Sequence, residues 1–137
     1  MKVLMMAVTR FGYTPGDKTL EEATEVTEGA EYHDAMVAFV QVEEADETQG
    51  AASREKKLVN HLKWALRKNQ CNRVILHSFA HLSSSKASVG FSREVFDLAE
   101  KRLKNGGIET WQTPFGYFLN LSLEAPGTSL ARIWADL

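Results

Sequence analysis

Two helix-period stretches separated by one short apolar strand constrain this chain more than any other feature. From Ala51 to Lys68, Leu58, Leu62, Ala65 and Leu66 recur on a 3.6-residue stripe with Val59 beside it. Cations gather towards the end of that stretch, where the helix dipole favours them. From about Ser88 to Lys104, Val95, Ala99 and Leu103 line a second apolar face next to Phe96, and Gly106-Gly107 offers the left-handed conformation that ends a helix. Between them Asn72 to His77 reads as a compact strand centred on Val74-Ile75-Leu76. Two apolar helix faces need a sheet to cover, so the remaining apolar runs are read as its strands.

Lys2 to Val8 is one such run. Arg10 to Glu28 is polar and broken by Gly12 and Pro15-Gly16, which predicts a long loop. Glu31 to Glu44 is β-like around Met36 to Val42, with His33-Asp34 as a turn that splits it into a hairpin. Ile108 to Gln112 and Tyr117 to Glu124 are further strands, the second alternating Phe118, Asn120, Ser122 and Glu124 against Leu119, Leu121 and Leu123. Pro126-Gly127 breaks the chain, and Ser129 to Leu137 is expected to form a short terminal helix. The order predicts an α+β fold: a mostly antiparallel sheet with two main packed helices in one domain, residues 1–137. At 137 residues a single sizeable core is feasible.

Charge is distributed unevenly. Eleven of the eighteen acids lie between Asp17 and Glu47, whereas seven of the sixteen bases lie between Arg54 and Arg73 with only Glu55 against them. A net charge of −2 argues against holding nucleic acid by bulk electrostatics. The basic helix then has two readings, a local contact with an RNA backbone or a solvated face. One cysteine, Cys71, rules out an internal disulfide and fits a reducing cytoplasm. No signal peptide or membrane-length apolar run is present.

Two short segments do not read as core. Ser78-Phe79-Ala80-His81-Leu82-Ser83-Ser84 follows the central strand, and Pro114-Phe115-Gly116-Tyr117 precedes the last long one. His81 is a hydrogen-bonded structural residue or a base. His77 and His81 are four apart, but one belongs to a strand and the other to the turn after it, so no metal set forms and no metal or other cofactor is expected. Ser83-Ser84-Ser85 lacks a nucleophile elbow and is read as turn or cap residues; Cys71 has no motif partner either. Gly116 is a place where main chain can closely approach a ligand.

Together these segments resemble the FAHLSS and PFGY motifs of the archaeal threonyl-tRNA synthetase editing domain, which has a D-aminoacyl-tRNA deacylase-like fold. The resemblance extends over nearly the whole chain, including the opening strand and the strand at Val37 to Asp46. It implies an aminoacyl-tRNA ester hydrolase that clears L-seryl-tRNA(Thr), acting in the cytoplasm as a homodimer. The chain would then be either a whole protein or a domain of a longer synthetase, working in trans or in cis. The pocket walls it implies are Val42, Ala80, His81, Phe115, Gly116 and Tyr117, with Gly90 and Phe91 against the amino-acid side chain after a two-residue deletion. His81 and Tyr117 are the implied catalytic positions.

Three polar residues of the family pattern are replaced here by Phe118, Leu119 and Arg132, and the strand-end proline by Ser78. Main-chain N–H groups near Ala80–His81 and Gly116–Tyr117, with the 2′-hydroxyl of the terminal ribose, are therefore expected to carry the chemistry. The alternatives are a D-aminoacyl-tRNA deacylase and a non-catalytic tRNA-binding or assembly module.

Overall fold

The computed structural model describes all 137 residues. Its strands are β1 (Lys2–Lys18), β2 (Ala30–Gln41), β3 (Arg73–Ser78), β4 (Glu109–Gln112), β5 (Tyr117–Glu124) and β6 (Arg132–Asp136). Its helices are α1 (Ala51–Lys68) and α2 (Val89–Asn105), with short 3-10 turns at Glu44–Gln49 and Ser129–Ala131. One sheet runs β4-β3-β2-β1-β5, and β6 also pairs with β1. The expected α+β class with two packed helices is present. The sheet is mixed: β1 pairs antiparallel with β2, β5 and β6, while β2–β3 and β3–β4 are parallel. Parallel neighbours need a crossover, and α1 and α2 supply the two that are required.

Both helices bury the stripes expected of them. Leu58, Val59, Leu62, Ala65 and Leu66 of α1, and Val95, Phe96, Ala99 and Leu103 of α2, join Val3, Met5, Met36, Ala38, Val40, Val74 and Leu76 from one face of the sheet. The Ser88 hydroxyl caps α2 by accepting the Phe91 N–H at 3.2 Å. After α2, Gly107 takes φ +81°, and the Ile108 N–H closes onto the Leu103 carbonyl at 3.0 Å. Across the helix pair, Arg102 of α2 donates to the buried Glu55 of α1.

Three local expectations are corrected. The stretch from Arg10 is not loop as far as Glu28: β1 continues to Lys18, because Phe11 is fully buried and both neighbours still pair there. Pro15-Gly16 marks a register shift against β5 instead of a strand end. A Cβ on Gly16 would lie 2.8 Å from the Phe118 carbonyl oxygen, so the bulge needs glycine for close approach. His33-Asp34 does not turn the chain; Asp34 takes φ 51° inside a strand whose register against β1 is unbroken.

The terminal helix is absent. After the 3-10 turn, Arg132–Asp136 is a strand whose burial alternates with period two, pairing with Lys2 to Met6. The first half of β1 would otherwise leave its main-chain groups unpaired on that edge, and β6 satisfies them.

Candidate functional site

Strands β2 and β3 run parallel and finish side by side, Val40 opposite Ser78. Beyond their ends the chain must leave the sheet. The segment after β3, the approach to α2, the turn before β5 and the residues after β1 together enclose a cavity of about 480 Å³. Its floor is Val40, Gln41, Val42 and His77; its walls include Ala80, His81, Phe115, Gly116 and Tyr117.

Gln41 organises the wall that follows β3. It is 3% exposed, and its amide is hydrogen-bonded through both its oxygen and its nitrogen. Oε1 accepts the Leu82 and Ser83 N–H groups at 2.6 and 2.7 Å, and Nε2 donates to the Ser83 and Ser85 carbonyls at 2.8 Å each. The Phe79 N–H donates to Val40 O and the Ala87 N–H to Val42 O, both at 3.0 Å, so the loop is bound at one end to β2 and at the other to the segment just after it. Ser83 Oγ donates to Glu43 Oε2 at 2.6 Å, and Ser85 Oγ accepts the Glu44 N–H at 3.1 Å. These serines are turn anchors, as their context predicts. Burial works to raise the Glu43 carboxyl, but the Met1 ammonium at 2.8 Å, the Ser83 hydroxyl and Lys2 outweigh it and bring it down to about 2. Sequence reasoning missed Gln41, although one amide inside the run Val40-Gln41-Val42 is the signal of a buried polar group that needs partners.

The histidines differ sharply. His77 is buried, shares a hydrogen bond with Thr113 Oγ1 at 2.8 Å, and packs between Phe39 and Phe79 with ring centroids 5.4 and 5.7 Å away. Burial, with a smaller contribution from His81, lowers its pKa to about 4, so it is neutral at pH 7. His81 is exposed at the cavity; its ring meets Phe79 edge-on at 4.8 Å and stacks near Phe118 at 6.3 Å.

Gly116 takes φ +88°, and a Cβ there would come within 2.8 Å of the Ala23 Cβ and 3.2 Å of the Leu20 Cβ. Glycine is therefore required by conformation and by space. Its carbonyl accepts the Thr19 N–H at 2.7 Å, which brings the end of β1 to the cavity. The Tyr117 hydroxyl accepts the Val26 N–H at 3.1 Å and donates to the Thr24 carbonyl at 3.3 Å. That side-chain oxygen is thus engaged with the loop at 24–26. The N–H groups of Ala80, His81 and Gly116 have no acceptor in the protein.

Six of the eight expected wall residues meet around this cavity. Gly90 and Phe91 do not line it; their neighbours Val89 and Ser92 do, while Phe91 packs towards the core. Phe118 and Leu119 line it, but Arg132 does not, its guanidinium donating instead to the Pro126 carbonyl at 2.6 Å. Lys86, Thr19 and Leu20 are lining residues to which no motif points.

A family model for the archaea-specific editing domain of threonyl-tRNA synthetase matches residues 1–137. The threonine–tRNA ligase of Methanopyrus kandleri is 30% identical over 135 residues, covering 97% of this chain and 21% of the relative. That of Cenarchaeum symbiosum is 29% identical over 132 residues, covering 96% of this chain and 20% of its own length. The Thermococcus sibiricus ligase is 28% identical over 136 residues, with 97% and 22% covered. The chain thus spans about a fifth of the length of these curated relatives. Among solved structures, the c-Myc DNA Unwinding Element Binding Protein superposes with a TM-score of 0.68 over 100% of this chain and 99% of that one. At 10% identity, that likeness is one of fold.

Proposed function

Since the chain belongs to the archaea-specific editing-domain family of threonyl-tRNA synthetase, we propose that it hydrolyses L-seryl-tRNA(Thr) to serine and free tRNA(Thr). The observation that carries this reading is a mostly apolar cavity among whose walls the main-chain N–H groups of Ala80, His81 and Gly116 have no protein acceptor. Hydrolysis of an aminoacyl ester needs an oriented water and donors for the oxyanion that develops. The Ala80, His81 and Gly116 N–H groups are the donors, and the 2′-hydroxyl beside the ester positions the water. The substrate side chain is serine because threonine adds one methyl group. That difference is worth only about 1–3 kcal/mol in an apolar pocket, so a wall that cannot yield is what makes it count. Gly116, held against Ala23 and Leu20, and the loop fixed by Gln41 supply such a wall.

The domain works with a threonyl-tRNA synthetase, in cis or in trans, as a cytoplasmic homodimer; support for the first part is that its curated relatives are threonine–tRNA ligases. Deacylation of Ser-tRNA(Thr), Thr-tRNA(Thr) and a D-aminoacyl-tRNA by the same preparation tests the reading. Selective release of serine is expected. Preference for the D-aminoacyl substrate, or tRNA binding with no release from any of the three, overturns it.

A further inference from the structure

Lys86 is the one lysine or arginine among the residues lining the cavity. Its main chain is held on both sides, by the Ser85 carbonyl accepting from Gln41 at 2.8 Å and by the Ala87 N–H donating to Val42 at 3.0 Å. Seven residues on, Arg93 in the first turns of α2 places its guanidinium 5.8 Å from the ring centroid of Phe115, itself a cavity wall. Both cations are exposed, and neither has a carboxylate within 4.0 Å. Lys86 lines the cavity, and Arg93, outside the lining, lies against Phe115, which belongs to it.

Unpaired cations at the rim of a mostly apolar cavity suit a ligand whose small end enters while its negative charge stays outside. An aminoacyl ester is carried by a nucleoside, and the first negative charge beyond it is the phosphodiester to the rest of the RNA. We propose that Lys86 and Arg93 hold the phosphodiesters of an RNA 3′ end where it leaves this cavity. The assignment rests on the deacylase reading. Arg93 offers a planar fork for phosphate, restrained by Phe115, and Lys86 a mobile point charge on a fixed base. Glu43 and Glu47 accept hydrogen bonds from Ser83 and Ser88 on the same approach, so Lys86 and Arg93 are unpaired cations in a neighbourhood that also holds acids.

The test compares wild type with a Lys86→Ala/Arg93→Ala double variant in two assays. One follows binding of uncharged tRNA as a function of salt. The other follows hydrolysis of Ser-tRNA(Thr) against the seryl ester of adenosine, which carries no phosphate. Because the double variant no longer neutralises two phosphates of a single strand, its slope of log K against log salt should be shallower by about 1.4. KM for Ser-tRNA(Thr) should rise roughly tenfold more than KM for the adenosine ester. A Lys86→Arg/Arg93→Lys exchange, which keeps both charges, should restore the slope. An unchanged slope, or an equal rise in KM for both esters, overturns the clamp. If wild type hydrolyses neither ester, the deacylase reading fails, and the salt slope alone decides on the clamp.

Discussion

His77 shows how one residue's surroundings settle its role. Packed against Phe39 and Phe79 and bonded to Thr113, it keeps a neutral ring with a pKa of about 4 against an ordinary 6.5. A histidine whose folded pKa is depressed contributes stability in full above the unfolded value. That contribution is lost as pH falls from about 6.5 towards 4, because the unfolded chain takes up the proton first. Urea unfolding should therefore show a decline on the order of 2–3 kcal/mol between pH 7 and pH 4.5. The decline should be visibly flatter in His77→Gln. Parallel curves for wild type and variant would mean that the buried ring is not the group responsible. The sequence could discount a metal pair at His77 and His81 from their placement. It could not tell a buried neutral ring from an exposed one four residues on, because that difference is made by Phe39 and Thr113, distant in the chain.

At the scale of elements, the two helices were legible because a 3.6-residue stripe is written locally, and both stripes are buried as expected. The terminal segment resists a local reading for the opposite reason. Its partner is the first half of β1, more than a hundred residues away, and only that unsatisfied edge makes Arg132–Asp136 a strand. The long β1 is likewise hidden by Pro15-Gly16, which usually stops a strand but here shifts its register. The motif loop after β3 holds its shape through Gln41, another long-range dependence. Gln41→Ala leaves two loop N–H groups and two carbonyls without those partners, a loss on the order of 1–3 kcal/mol where they stay buried. Activity per folded molecule should fall as well, since the Ala80–His81 wall is released. Circular-dichroism melts alongside serine release would check this; a loss of stability with unaltered activity per folded molecule would detach the loop's shape from the chemistry.

Over the whole molecule, the cavity exists because the ends of β2 and β3, the approach to α2 and its first turn, the residues after β1, and the turn before β5 with the start of that strand meet around it, most of their lining residues apolar. The strand positions that carry polar residues in the resembled family hold Phe118 and Leu119 here, and the Tyr117 hydroxyl is committed to Thr24 and Val26. On the function proposed above, such a site places its donors by folding and leaves proton handling to water and to the substrate's own hydroxyl. Leu119→Lys should then change the rate of serine release by less than about tenfold, a barrier difference of about 1.4 kcal/mol. Ser-tRNA(Thr) with hydrogen in place of the terminal 2′-hydroxyl, and serine kept on the 3′ oxygen, should react far more slowly. Losing one hydrogen bond at a charge-developing centre costs about 2.7–4 kcal/mol, roughly a hundredfold to a thousandfold in rate. Single-turnover release of serine from the two substrates measures the ratio directly. Equal rates would remove the RNA hydroxyl from the mechanism and leave His81, the exposed histidine at the cavity wall, as the base to test next.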